Sequence, residues 1–475
     1  MKEGYIKQED RKKILLLTDD IRVHSGVAQI GREMVINTSH RYNWVQMAGA
    51  VKHPDKGKVF DHSQAINEAA KITDSSVKLY PVDGYGDPDI LREIIKLENP
   101  DAIFLITDPR YFIWLFQIEN EIRQNIPIAY LNIWDDLPAP QYNEEFYESC
   151  DALFGISKQT KLINEIVLGD KAEHKIIRYI PHGLNNNIFK PIESTKEVTE
   201  FKKLLTRNRD KDFILLFNSR NIRRKSIPDA LVAWKLFIDK LTPEEKEKCL
   251  FVLHTELSSD HGTDLGAVIE YLFGEDDQSV VVSTNKLDTY QMNLLYNCAD
   301  GVILLSAAEG WGLSLTEALL TGTPIIANVT GGMQDQMRFV DENGEWYSNN
   351  INVPSNHKGT YKQHGEWALP VYPQALSLVG SPVTPYIWDD RCKAEDAAER
   401  IFELYSMGSE KRKEIGKKGM EWALSNEAGF TSEKMSQRII EGMDTLFSTW
   451  TPRSKFVFYK DTDYTPRVLR HKLEY

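Results

Sequence analysis

The chain is poor in cysteine and in long apolar runs. Its four cysteines, Cys150, Cys249, Cys298 and Cys392, lie far apart, with no CxxC pair and no metal-like spacing. That excludes a disulfide framework or a zinc module and predicts reduced, buried thiols in a cytoplasm. The longest apolar stretches, such as "YFIWLF" at 111–116, fall far short of the roughly eighteen residues that a membrane span needs. The opening "MKEGYIKQEDRKKILLLTDD" holds only a four-residue apolar run, too short for a secretory leader. Positive charge is in deficit, with 57 Lys and Arg against 70 Asp and Glu and a net charge of −13. Such a chain is a poor general polyanion binder, though a local basic groove stays open.

What is present is ordinary globular material. The 475 residues are 41% hydrophobic and 10% aromatic, enough for two or three domains at roughly 150 residues each. The first 190 residues alternate β-rich runs with helical patterns. "KKILLLTD" (12–19), "DAIFLITD" (101–108), "PIAYLNIWD" (127–135) and "CDALFGIS" (150–157) read as buried strands, and Val27, Ile30 and Met34 mark a helix face. The same grammar restarts at 212. "DFILLFNSR" is followed by a helical stripe at Ile227, Leu231, Trp234 and Ile238, then by "CLFVLHTE" (249–256), "VVVST" (280–284), "DGVILLS" (300–306) and "TPIIAN" (323–328).

Apolar strands separated by helices predict parallel sheets covered on both faces. The expected fold class is therefore α/β, with two Rossmann-like doubly wound domains facing a central cleft. The boundaries fall at 1–195 and 196–430, joined through "PHGLNNNIFKPIESTKE" (181–197). Residues 341–390 break the period and read as an insertion of loops and short strands. Residues 431–475 read as a helix and a tail returning to the first domain, with six Lys or Arg against three acids from Thr451 onward.

One stretch carries chemistry. "AAEGWGLSLTEALLTGTP" (307–324) sets Glu309 before a turn at Gly310 and Gly312, and Glu317 inside the helix that follows. Ligands of doubly wound sheets bind at the carboxyl ends of strands. Gly310-Trp311-Gly312 lets the backbone approach a ligand closely. A helix starting near Leu313 or Ser314 offers free N–H groups and a positive dipole end for a phosphate. Carboxylates accept from hydroxyls, so acids on both sides of an anion site suit a nucleotide sugar. Taken alone, the pair reads equally as a loop acid and a solvated helix residue. "FNSRNIRRKS" (217–226) adds Arg220 and Lys225 at the end of another strand, where two cations would meet a diphosphate. Alone it reads as a basic loop.

Together these residues resemble glycosyltransferase family four, the retaining, nucleotide-sugar-dependent enzymes of GT-B fold. Ser219-Arg220 with Lys225 is similar to the family's phosphate loop, with Ser219 and Ser226 in place of its usual glycines. "LLYNCADGVILLSAAEGWGLSLTEALLTGTPIIANVTGG" (294–332) is similar to its most specific segment, and "IPHGLNNNIFKP" (180–191) to its interdomain stretch. "HSGVAQI" (24–30), with His24 and Gly26, sits where the family has a glycine loop.

The resemblance implies that Glu309 bonds the donor sugar and Glu317 the ribose. Arg220 and Lys225, with N–H groups from Gly312 through Leu313 to Ser314, would stabilise the departing diphosphate. Lys286 and Leu287 would lie by the base. It implies a UDP-sugar as donor substrate, no other cofactor and no metal. The family's acceptor-side histidine is absent from "NIWDDLPAP" (132–140). Asp135 stands there, with Asp136 and His24 as further acceptor-side candidates; the two acids read equally as a helix N-cap pair.

A phosphorylase of the same fold would need a cofactor lysine and far more chain. A non-catalytic nucleotide-sugar-binding protein is the rival of another class. The acceptor stays open among a glycan, a small molecule and DNA carrying a hydroxymethylated base. For DNA, the cations Arg453, Lys455, Lys460, Arg467, Arg470 and Lys472 and the aromatics Trp346, Tyr347, Tyr361, Trp367 and Tyr372 are the groups to look for.

Overall fold

A computed structural model describes residues 4–194, 196–275 and 277–456. The tail cations Lys460, Arg467, Arg470 and Lys472 lie outside the described residues.

Two sheets organise the chain. The first holds β1 (Lys12–Asp19), β2 (Tyr42–Gly49), β3 (Phe60–Asp61), β4 (Val77–Pro81), β5 (Ala102–Ile106), β6 (Ile128–Asn132), β7 (Ala152–Gly155) and β8 (Ile176–Tyr179), in the order β3-β4-β2-β1-β5-β6-β7-β8. Only the short β3 runs antiparallel. The second holds β9 (Phe213–Asn218), β10 (Cys249–His254), β11 (Val280–Ser283), β12 (Gly301–Leu304), β13 (Ile325–Asn328) and β14 (Ala368–Val371), in the order β11-β10-β9-β12-β13-β14, all parallel. Central strands such as β1 and β9 are apolar along most of their length and buried on both faces, because helices cover both sides.

The stretch 341–390 differs from its reading as an insertion. Its residues Ala368–Val371 pair with β13 and complete the second sheet. Pro370 hides this from the sequence, since proline sits in sheets chiefly at edges, and β14 is the edge strand. The remainder includes a hairpin, β15 (Ala375–Ser381) with β16 (Thr384–Arg391), which leaves the second domain and touches the first. Trp388 N–H donates to Leu137 C=O at 2.7 Å, and Tyr142 Oη donates to Tyr386 C=O at 2.8 Å.

The helix Ser432–Thr449 starts at the N-cap Thr431, whose hydroxyl accepts from Lys434 N–H. It buries Met435, Ile439, Met443 and Leu446, spaced along one face. Each contributes about 1.5–3 kcal/mol of apolar burial. That face covers the first sheet: a Cβ on Gly442 would stand 2.7 Å from the Phe154 ring. Tyr42 Oη bonds Asp444 and Arg178 bonds Thr445 at its rim. Beyond it, Arg453 pairs with Glu119 at 2.7 Å, while Lys455 is exposed.

The aromatics of 341–390 pack inward rather than lining a surface for bases. Trp367 stacks on Trp422 at 4.9 Å, Trp346 meets Trp422 and Phe430 edge-on, and Tyr347 is buried against Tyr361. Tyr372 packs on Phe339. Lys158, from the first domain, lies over the Trp346 ring at 3.4 Å.

Candidate functional site

Strand order locates the site. In the second sheet the order reverses between β9 and β12, and a crevice opens at the carboxyl ends of those two strands. The loop after β9 carries Ser219 to Ser226, and the loop after β12 carries Leu305 to Gly312. The two sequence segments singled out for chemistry therefore meet at one topological switch point.

Glu309 is the centre. It is buried, and its Oε2 accepts from Lys225 Nζ and, at 3.1 Å, from Arg224 Nη1. Burial alone would raise its pKa, but the Lys225 and Arg224 charges bring it down to about 2. Glu309 is thus ionised at any working pH. Lys225 is buried too; burial lowers its pKa against the pull of Glu309. Arg224 reaches Asp135 as well, with Nε 3.6 Å from Oδ2, and so bridges the domains.

The sequence points to Arg220, whereas Arg224 is the arginine that bonds Glu309. Arg220 is exposed and has no side-chain bond among the described residues. The run Arg223-Arg224-Lys225 was the available signal, since a short helical turn over these residues faces successive side chains differently. Ser226 then sits at φ 51°, the left-handed conformation that favours glycine.

After the Glu309 loop, Gly312 takes φ 87° and the helix Leu313–Leu320 begins. No side chain caps its N-terminus, so Leu313 and Ser314 present backbone N–H groups to the crevice. Gly310 is packed too tightly for a side chain: a Cβ would stand 2.6 Å from Ile133 C=O. Its N–H donates to Asp135 Oδ1 at 3.1 Å. Across the cleft, a Cβ on Gly26 would lie 3.1 Å from Leu313, so the first domain's glycine loop closes on this helix end.

Glu317 lies one turn further in. It is buried, and its Oε2 accepts from Tyr296 Oη at 2.5 Å and Asn218 Nδ2 at 3.3 Å. Burial raises its pKa to about 7, although both donors pull it down. It is not the solvated helix residue of the alternative reading. Lys286 is exposed and Leu287 half-buried in the loop after β11, just before the capping box of Asp288 with Gln291.

On the first domain, His24 is exposed beside the N-cap Ser25, in the loop after β1. Burial raises the Asp135 pKa, against the Arg224 charge. About a third of its side chain is still accessible, so it faces the cleft mouth. Asp136 differs from its reading as an acceptor-side residue. It is 1% exposed, and both its oxygens accept from protein donors: Oδ1 from Leu137 N–H and Gln159 Nε2, Oδ2 from Thr330 Oγ1. Nor do the two acids cap a helix, since the next helical turn begins at Gln141 behind Pro140.

Residues 199–355 match the family model described as glycosyl transferases group 1. No curated protein matches the chain. Among solved structures, it is similar to Anabaena Alr3699/HepE in complex with UDP and glucose, at 16% identity and a TM-score of 0.63, over 92% of this chain and 100% of that one. A sucrose-phosphate synthase from Thermosynechococcus elongatus aligns with the same figures. An E. coli trehalose-6-phosphate protein bound with UDP-2-fluoro glucose aligns at 10% identity and a TM-score of 0.63, over 93% of this chain and all of that one. The fold is GT-B, and its second half carries a glycosyltransferase domain.

Proposed function

We propose that the protein is a retaining glycosyltransferase of family four type, moving a sugar from a UDP-sugar to a hydroxyl acceptor in the cleft between its domains. The observation that carries this reading is the Lys225–Glu309–Arg224 cluster at the β9/β12 switch point, beside an uncapped helix N-terminus, within a glycosyl transferases group 1 match. The donor's diphosphate sits at the N–H groups of Leu313 and Ser314. Lys225 turns from Glu309 to the phosphate oxygens, and the exposed Arg220 closes on them. Released from one cation, Glu309 accepts from donor-sugar hydroxyls, and Glu317 accepts from the ribose. Lys286 and Leu287 flank the base.

As the bond from the anomeric carbon to the phosphate oxygen breaks, these cations and N–H groups take up the charge that develops there. The acceptor oxygen bonds to the same face of the anomeric carbon. Its proton leaves to Asp135 or to the departing diphosphate, with His24 at the acceptor's entry. No metal is required, because the cations and helix terminus already face the leaving group. The free cysteines suit a cytoplasmic setting. Among the described residues no helix is long and apolar enough to cross a membrane.

Incubation with a panel of nucleotide sugars in EDTA, followed by NMR, tests the reading. It expects UDP release and a product with the donor's anomeric configuration. An inverted product, or release that needs an added divalent cation, contradicts it.

A further inference from the structure

Two carboxyl groups meet across the domain interface, one residue away from the walls of the cleft. Asp136 lies in the loop after β6 in the first domain, and Asp390 is the penultimate residue of the hairpin strand β16 of the second; each is 1% exposed, and the two side chains lie within hydrogen-bond reach of each other. Asp136 is fully bonded: Leu137 N–H at 2.7 Å and Gln159 Nε2 at 2.9 Å donate to Oδ1, and Thr330 Oγ1 at 2.9 Å donates to Oδ2. Asp390 is the reverse. Both its oxygens are buried without a hydrogen-bond partner among the described residues. A buried acceptor left this way demands an explanation.

The surrounding charges do not supply one. His357 Nδ1 stands 3.7 Å from Asp390 Oδ2, beyond hydrogen-bond reach, and burial with the Lys358 charge lowers its pKa and keeps it neutral. Neighbouring Asp389 engages Arg223 at 2.7 Å and Arg391 at 3.2 Å. Burial raises the Cys392 thiol and keeps it uncharged. On the other side, Arg224 serves Asp135 and Glu309. The one hydroxyl beside Asp390 is that of Thr330, whose single proton is already given to Asp136 Oδ2, which leaves the pair itself to supply the donor.

We propose that Asp136 and Asp390 share a proton, forming a carboxyl latch that positions Asp135 and the 386–390 rim of the hairpin across the cleft. One hydroxyl then donates to the other carboxyl, and no uncompensated pair of charges is buried. Burial, then the Asp390 charge, pushes Asp136 well above the usual carboxylate range, and burial raises Asp390 to about 6. Both folded-state values are raised, so the latch's contribution is full in acid and lost as pH rises through them. Losing the proton sets two carboxylates against each other in an apolar interface. The strain falls on Asp135, which holds Gly310 N–H, and on Asp389, which holds Arg223 beside the Glu309 cluster. These are positioning residues; the effect on turnover rests on the function proposed above, whereas the effect on stability does not.

The test compares the full chain with Asp390→Asn and Asp136→Asn, each of which installs a permanent N–H donor. Melting temperature and UDP-sugar turnover are followed from about pH 6 into the alkaline range. The natural chain should lose about 2–4 °C more than either asparagine variant over that range. Its kcat should fall more steeply, with donor KM little changed. Superimposable melting profiles in all three proteins overturn the latch, as does failure of both variants to fold, because a permanent donor should be tolerated there. A melting difference without turnover supports the latch and counts against the glycosyltransferase reading instead.

Discussion

The two sheets share an architecture but differ in the chemistry at their carboxyl ends. At the β9/β12 switch point, two successive cations flank one carboxylate: Arg224 and Lys225 from one loop, Glu309 from the other, while Arg223 turns away to Asp389. At the corresponding β1/β5 reversal in the first sheet, the groups are carboxylates tied to hydroxyls or to basic side chains. Asp19 accepts from Ser25 and Tyr85, and Asp20 holds Arg22 and His53. The first arrangement suits a ligand of concentrated negative charge; in the second the carboxylates are buried and already engaged by neighbouring side chains. A diphosphate is held by short-range cations and backbone N–H groups that one or two loops can supply. A polyol needs acceptors gathered from many segments.

The contrast is broken most severely through Lys225. Lys225→Ala should lower kcat/KM by roughly 10²–10³-fold, the scale of removing one preorganised charge stabiliser. The same change should lower the melting temperature, because Glu309 is left buried with only Arg224 beside it. Steady-state kinetics with the best donor, alongside thermal unfolding, checks both.

Arg224 and Arg220 sharpen the comparison. Arg224→Ala removes a charge-assisted bond to Glu309 and the link to Asp135, so kcat/KM should fall by roughly 10–100-fold, with some loss of stability. Arg220→Ala should leave melting unchanged, since the side chain is exposed and unbonded among the described residues, while lowering both donor affinity and kcat. Equal melting losses in the two variants would mean that Arg220 has a structural partner in the folded chain.

A smaller effect concerns pH. Glu317 has its pKa raised to about 7, and hydroxyls bond its ionised form. UDP affinity should therefore tighten by roughly threefold to tenfold as pH rises through about 7. The linkage for stability has the opposite sign: a raised carboxyl contributes stability below that pH and loses it above. Calorimetry on Glu317→Gln should show weak, pH-independent binding; an unchanged pH dependence would assign the titration to another group.

The donor half was legible because its chemistry is local in sequence. Continuous apolar runs marked β1, β5 and β9 through β13, and the Gly310–Gly312 turn with its two glutamates marked the crevice. Other parts were hidden for physical reasons. β2 carries Gln46 within its buried run, where Gln46 bonds the backbone of Asp19, so no clean apolar pattern shows. β14 contains a proline at a sheet edge. Arg224 and Arg220 look alike in sequence, and only the turn Arg223–Lys225 decides which one reaches Glu309. Asp136 and Asp390 are 254 residues apart in the chain, and nothing local to either announces that they meet. Acceptor-side groups fall in this second class: the sequence puts Asp135 first, with His24 and Asp136 as further candidates, and nothing local to Asp136 shows that it is buried.

The central claim is that a nucleoside diphosphate docks at the β9/β12 switch point, held by Lys225. Titrating UDP into the natural chain and into Lys225→Ala by calorimetry tests it most directly, with Lys413→Ala on an exposed helix as the control. The account predicts one UDP per chain, binding weakened by at least roughly tenfold in Lys225→Ala and unchanged binding in Lys413→Ala. No UDP binding to the natural chain, or equal affinity in Lys225→Ala, would contradict it.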